Sequence, residues 1–348
     1  MPDAFFHSYP MKRLFFLASP ILLMILCCSC GRNNEFFKLE GRAQGTYYSI
    51  QYYDPQHRSL QPQIDSILQA FDQAVSLWVE NSNLNRINRG EDSLLYDITA
   101  DILEKSLQMN RFTEGAFDCR VGSLVNAWGF GAKNQSYTDS TEVDSMLSIC
   151  HAPIGLRRIG ADSMLFVREN PNTEIDFNAI AQGYSVDLLA DYLSGLGIEN
   201  YLIDIGGEVI AKGCKKGGAP WVVGIEKPAD HRYSMPEVME AVPLKDAALV
   251  TSGNYRKYYE RDGVRYSHTI DPATGFPVRH SLLSVSVIDS TSWRADALAT
   301  AFMVMGLEGA LRFLDAHHEI TSVYFIYDED GQYKTYATES MKKIISGK

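Results

Sequence analysis

Several signatures are missing from these 348 residues, and each absence removes a class of chemistry. No Gly-x-Gly-x-x-Gly opens a helix, so dinucleotide binding by the doubly wound phosphate loop is disfavoured. There is no Walker A loop, no His-Glu-x-x-His helix and no Gly-x-Ser-x-Gly elbow, so those three mechanisms lack their central residues. No long basic run occurs and the formal net charge is −11, which gives nucleic acid no electrostatic footprint. No internal repeat or low-complexity block is visible. Cysteine is scarce in the body of the chain: three of six are Cys27, Cys28 and Cys30. The others, Cys119, Cys150 and Cys214, match no zinc spacing and read as buried apolar residues or one optional disulfide.

What is present begins with an address. Met11-Lys12-Arg13 precedes an apolar run from Leu14 to Leu26, shorter than the roughly 20 residues a stable span needs. A basic stretch followed by a short apolar one is a secretory signal, and the residues before Met11 read as an upstream extension. The small and cysteine residues ahead of Gly31 resemble a bacterial lipobox. Cys30 is the expected lipidated residue, Cys28 the alternative, and an uncleaved anchor or a plainly secreted protein the remaining reading. The expected organisation is therefore extension and signal over 1–30, a polar tether over 31–39 and a folded domain over 40–348.

Within that domain, 45% apolar content supports one large or two modest units. Gln44 to Asp54 is β-prone, and Ile64, Leu68, Phe71 and Val75 recur at helical spacing. Residues 81–88 are Asn-rich and read as loop; Thr99 is expected to cap a helix through Met109. A polar stretch, 133–144, reads as an insertion. Glu174 to Phe177 reads as a short strand feeding a helix from Asn178 to Leu196. Further strands are expected at 201–205, 221–226, 248–251, 265–270 and 283–289, with a hairpin, 321–327 and 333–337, around Asp330-Gly331. Helices and strands alternate without βαβ cadence, so the expected class is α+β with mixed sheets.

Four segments could carry chemistry. Asp176 to Tyr184 joins strand to helix, where free amides suit a phosphate, or where Asp176 is an ordinary cap. Gly206-Gly207 after a strand lets backbone approach a ligand, or marks a turn. Ser267-His268-Thr269-Ile270-Asp271 gathers polar groups before a Pro/Gly turn. His268 there is a structural residue or a base able to take a hydroxyl proton near pH 7. Trp293 to Gly306 reads as a helix capped by Ser292, with Leu298, Phe302 and Met305 on one side and Asp296 and Thr300 roughly opposite. A carboxylate and a hydroxyl one turn apart can hold a hard cation, or can be an ordinary first-turn Asp and a space-filling Thr. Thr251 and Ser252 add hydroxyls at a strand end.

Taken in order, Gln44-Gly45-Thr46, Gly115-Ala116-Phe117-Asp118, Asp176 to Tyr184, Asp204 to Glu208, Thr251-Ser252-Gly253, Ser267 to Pro272 and Asp296 to Thr300 resemble the ApbE family of FAD:protein FMN transferases. The resemblance runs from about Glu40 to the C-terminus. It implies an ApbE, T-fold-like domain that binds FAD with Mg2+ and moves the FMN half onto a Thr or Ser of an acceptor protein, releasing AMP. Metal ligands then fall on the Asp296 and Thr300 side chains and the Ala179 carbonyl. FAD contacts fall on Gln44, Trp78, Ala116, Phe117, Asp118, Asp176, Gln182 and Ile270, and His268 matches the family's general base. The sequence departs from the family at Gln182, commonly Lys, at Gln44, commonly Met, and at Trp78, commonly Tyr. The resemblance further implies a lipid-anchored protein on the periplasmic side of the inner membrane, acting on subunits of membrane redox complexes. A Mg-dependent FAD pyrophosphatase and a non-catalytic FAD-binding lipoprotein are the alternatives.

Overall fold

The computed structural model describes residues 35–133, 140–160, 163–228, 237–254, 258–261 and 264–347. The strands are β1 (Glu35–Ala43), β2 (Thr46–Asp54), β3 (Leu94–Leu95), β4 (Ile154–Arg158), β5 (Met164–Arg168), β6 (Tyr201–Ile205), β7 (Glu208–Lys212), β8 (Trp221–Glu226), β9 (Val238–Leu244), β10 (Ala247–Gly253), β11 (Tyr258–Arg261), β12 (Val264–Ser267), β13 (Leu282–Asp289), β14 (Ser322–Glu329) and β15 (Gln332–Ala337). The helices are α1 (Gln61–Val75), α2 (Asn83–Asn88), α3 (Asp97–Phe112), α4 (Gly122–Ala127), α5 (Ser140–Cys150), α6 (Ala181–Gly195), α7 (Ser292–Ala316) and α8 (Glu339–Ser346).

One eight-stranded sheet, in the order β1-β2-β6-β7-β10-β13-β14-β15, organises the rest, and every neighbouring pair in it is antiparallel. This is the α+β class expected. Alternation along the strands decides what each face meets. Val250, Val285, Val287, Val323 and Phe325 share a core with α7 and α3. Leu249, Tyr324 and Ile326 point the other way and pack with Trp221, Val242 and Met341 of β8, β9 and α8. On the β2–β6 half, α1 and α6 bury Leu68, Val186, Leu189 and Leu193 against Ile50, Ile203 and Ile205.

The central helix α7 is long and apolar enough to cross a membrane, yet here it is a core helix with Leu298 and Phe302 fully buried. Gly306 adopts φ 69° and ψ 173°, so the expected stop is a break between two helical segments. His280 Nε2 lies 2.7 Å from the Met303 carbonyl just before that break.

The structure corrects several local readings. β1 begins at Glu35, within the stretch read as a tether, because Phe36 and Phe37 pack their rings on Tyr53 and Tyr52. Residues 83–88 are helical, not loop: Ser82 Oγ accepts the Asn85 amide and Leu84 and Ile87 are buried. Thr99 does not cap α3, which starts at Asp97; its hydroxyl donates to the Ala74 carbonyl. Glu174 to Phe177 is not a strand, because Asp176 draws the Asn178 amide into a local turn and α6 starts only at Ala181. The strand expected over 265–270 ends at Ser267, leaving Ile270 a single bridge to Pro277. Cys119, Cys150 and Cys214 are free thiols. The signal segment, with Cys28 and Cys30, lies outside the described residues, as does most of the polar half of the 133–144 stretch.

Asn83 joins α2 to β3 by donating to the Leu94 carbonyl (2.8 Å) and accepting the Tyr96 amide (3.0 Å), and it is fully buried. Asn83→Ala strands both groups and should lower unfolding free energy by about 1–3 kcal/mol. Urea denaturation checks this; an unchanged midpoint contradicts it.

Candidate active site

The site starts from a close approach of two helices. Gly183 in the first turn of α6 lies so near α7 that a Cβ there would meet the Ser292 carbonyl oxygen at 2.5 Å and Asp296 Cβ at 2.8 Å. Its amide donates to Asp296 Oδ2 at 3.0 Å. As the third residue of α6, Gly183 has no intrahelical acceptor for that amide, the first such bond running from Tyr184 to the Ile180 carbonyl. Asp296 on α7 supplies the acceptor instead; Ala179 lies in the turn just ahead of α6 and packs at the edge of the core. Thr300, one turn beyond Asp296, lies with its hydroxyl 3.3 Å from Ser252 Oγ at the end of β10. Thus Asp296 and Thr300 stand on α7 at a junction with the start of α6 and the end of β10.

Asp296 is 4% exposed, so its position on α7 is not an open polar face but a buried one turned toward α6. Burial pushes its carboxyl up to about 7; the Gly183 amide works against that rise and the neighbouring Asp187 adds to it. Among the described residues no cation is identified as offsetting it. Asp187 itself is raised to about 6 by burial despite accepting the Ser292 (2.9 Å) and Trp293 (2.8 Å) amides. Sequence reasoning missed this residue. Its signal was the four-residue spacing from Gly183, which places both on one face of α6. Ser292, expected to cap α7 itself, has its hydroxyl buried without a partner; the cap comes from Asp187 instead.

The other expected site residues connect outward from this junction. Two residues after Ser252, Asn254 Oδ1 accepts from Thr269 Oγ1 at 2.7 Å, which ties β10 to the segment holding His268. His268 is half-buried, with Phe130 edge-on at 6.4 Å between ring centres. Ile270 is buried with Leu124, Trp128 and Val143. The Asp176 amide donates to the Cys119 carbonyl (2.8 Å), joining the 116–118 segment to the start of α6. Asp176 acts as a turn cap, with Asn178 N at 2.7 Å and Asn178 Nδ2 at 3.1 Å, and burial raises its carboxyl to about 6. Phe117 is core, Ala116 packs at that core's edge, and Asp118 is held by Arg120 through Nη2 at 2.6 Å. On the other side, Gln182 Nε2 donates to the Ile205 carbonyl (3.2 Å), next to Gly206. Any Cβ on Gly206 would strike Gln182 and Thr46, so the Gln44–Thr46 turn lies there too. Gln44 has φ 52° and its Nε2 is buried without a partner. Trp78 stands apart: it is 66% exposed beyond α1, its amide donating to Ser76 Oγ at 3.2 Å.

A buried carboxylate, a hydroxyl one turn along the same helix and a main-chain carbonyl in the turn ahead of α6 are all oxygen donors. That chemistry suits Mg2+, which takes few protein ligands and keeps waters or substrate phosphates. Among the described residues no cluster of three His, Cys, Asp or Glu occurs, so a soft or fully caged metal has no comparable place. Two open depressions of about 470 and 500 Å3 lie instead on the β4–β5 side, around Pro153 and Glu169. Neither is lined by a residue of the junction, and depth alone does not mark chemistry.

An antiparallel α+β frame, with a buried carboxylate of one helix set against the start of another, describes the class. The chain belongs to the ApbE family, whose model matches residues 44–325. It is 36% identical over 330 residues to a Vibrio cholerae FAD:protein FMN transferase, covering 93% of this chain and 97% of that one. An Escherichia coli K12 protein of the same description is 34% identical over 323 residues, covering 89% and 90%. Among solved structures, the flavin transferase ApbE from Vibrio cholerae superposes with TM-score 0.76 at 35% identity, over 89% of this chain and 99% of that one. The ApbE protein from Thermotoga maritima gives 0.76 at 27% identity, over 89% and 99%.

Two outcomes follow from the junction. Gly183→Ala forces α6 from α7 against backbone atoms that cannot yield, and should cost about 1–3 kcal/mol of stability; an unchanged melting temperature contradicts the close approach. Asp296 has a folded pKa above its unfolded one, so its stabilisation is full below the unfolded value and lost as pH rises through about 7. Metal-free protein should therefore lose on the order of 2 kcal/mol between mildly acidic and mildly alkaline pH. Asp296→Asn should flatten much of that slope in a melting series, and an equally steep profile rejects the assignment.

Proposed function

We propose that the protein is a FAD:protein FMN transferase that uses Mg2+ to move the FMN half of FAD onto a Thr or Ser hydroxyl of an acceptor protein. The observation that carries this reading is the hydrogen bond from the Gly183 amide to the buried Asp296, which sets a carboxylate of α7 against the first turn of α6, four residues after Ala179. The family and the matching descriptions of its relatives support it.

Asp296 Oδ, Thr300 Oγ1 and the Ala179 carbonyl would hold the ion. Bound there, Mg2+ supplies charge neutralisation at the FAD pyrophosphate and eases departure of AMP. The chain's own residues do the rest. His268 accepts the proton of the acceptor hydroxyl as its oxygen attacks the FMN phosphorus, and the bond from that phosphorus to the AMP oxygen breaks. Asn254 holds Thr269, and so the backbone beside His268, through a buried hydrogen bond. Gln182 offers a neutral amide, not a cation, toward the dinucleotide, so charge neutralisation falls more heavily on the ion. The exposed ring of Trp78 offers a face for stacking. Acceptors are expected among subunits of membrane redox complexes. Lipidation of Cys30 and a periplasmic position on the inner membrane complete the reading, supported by the basic, apolar and cysteine-rich order of residues 11–30.

Incubation with FAD, Mg2+ and an acceptor, followed by a denaturing gel, tests it: flavin fluorescence that stays with the acceptor is expected. Free FMN would mean hydrolysis, and unchanged FAD would mean binding alone. His268→Ala should lower the transfer rate by about 10²–10⁴-fold while FAD still quenches on binding. Near wild-type transfer by that variant removes His268 from the role.

A further inference from the structure

The contact between α6 and α7 is reciprocal. Going forward along α6, Gly183 gives its amide to Asp296, and one turn later Asp187 receives the amides of Ser292 and Trp293. Going backward along α7, the same partners are Asp296 and then, one turn earlier, Ser292. Two antiparallel helices thus exchange donor for acceptor at two successive turns. Each Asp187 oxygen has its own amide, Oδ1 that of Ser292 and Oδ2 that of Trp293, so the carboxylate fixes both the axial position and the rotation of the first turn of α7.

No side chain of α7 itself caps this end. The N-cap Thr291 makes no side-chain cap, and the hydroxyls of Thr291 and Ser292 are both buried without partners. The absence of a side chain at Gly183 lets the two axes come this close. Asp296 follows the clasped turn by one turn and Thr300 by two.

We propose that Asp187 is a positioning residue for the metal site: by clasping the start of α7 from α6 it sets where Asp296 and Thr300 stand relative to the Ala179 carbonyl. It touches neither ion nor substrate. The inference rests on the functional reading above, because it is that reading which makes the register of the two helices consequential. Partners that orient metal ligands typically matter 10- to 100-fold in metal affinity, and an ångström of misplacement costs about 10²-fold in rate.

The test measures wild type, Asp187→Ala and Asp187→Asn for three quantities: Mn2+ affinity by loss of the free-ion electron paramagnetic resonance signal, Mg2+ dependence of transfer, and melting temperature. Asp187→Ala should weaken Mn2+ binding and raise the half-saturating Mg2+ by about 10- to 100-fold. Asp187→Asn keeps one acceptor oxygen and should recover part of that loss. A purely structural role would lower the melting temperature of either variant and leave both metal quantities unchanged, and that result overturns the proposal. If Asp187→Ala does not fold, Asp187→Asn decides on the same readouts: a wild-type Mn2+ affinity overturns the proposal, an intermediate one upholds it. Failure of the functional reading looks different: wild type itself then binds no Mn2+ and labels no acceptor.

Discussion

An amide in one helix and a carboxylate in another, 3.0 Å apart and away from water, set the terms for the rest of this molecule. The contact needs a residue without a side chain at 183, and it needs α6 and α7 laid against the same face of the sheet. That in turn needs strands whose alternate residues, Val250, Val285 and Val323, give α7 an apolar floor. Several of the candidate segments reach this contact through the sheet or a loop. Ser252 ends a strand beneath α7, Gly206 ends one beside α6, and Asn254 passes the constraint to the strand carrying Ser267.

Burying carboxylates in a protein that already carries a net charge of −11 is a cost, not a packing device. Asp176, Asp187 and Asp296 all have burial as the main cause of their raised pKa values. Asp187 and Asp296 recover part of the cost by taking backbone amides at the starts of α7 and α6, where the dipole favours negative charge, and Asp176 takes one in the turn ahead of α6. Asp296 recovers least, with a like charge beside it. Folds tolerate such local expense where function uses it, and a bound cation would turn the most expensive of the three into the best satisfied.

Much of this was legible in the residues. Runs of β-prone residues marked most strands of the large sheet, and the ordered short motifs carried the family. Asp296 and Thr300 were readable as a pair because helical spacing puts them on one face. Their surroundings were not, because a helical wheel shows which residues share a side and not what that side meets. So a face taken as polar proved to be buried against α6. Asp187 escaped notice for a related reason: it caps a helix more than a hundred residues away, whereas sequence reading seeks caps next door, at Ser292. Asp176 misled in the opposite sense. Its β-prone neighbours suggested a strand, but the side chain's own bond to Asn178 bends the chain first. The asparagines of 83–88 looked like loop because polarity hides two buried apolar positions, Leu84 and Ile87.

The break at Gly306 has a bearing on how the newly made chain behaves. Read as plain composition, Ser292 to Ala316 is apolar enough to partition into a bilayer. Cut at Gly306, neither piece reaches the roughly 20 residues that span a hydrocarbon core. The leading piece also carries Arg294 and Asp296, charged side chains that disfavour insertion, by up to about 3 kcal/mol each at the centre of a span. The carboxylate proposed as a metal ligand therefore also makes this helix, for all its apolar composition, a poor membrane span, and its apolar face is satisfied in the protein core instead.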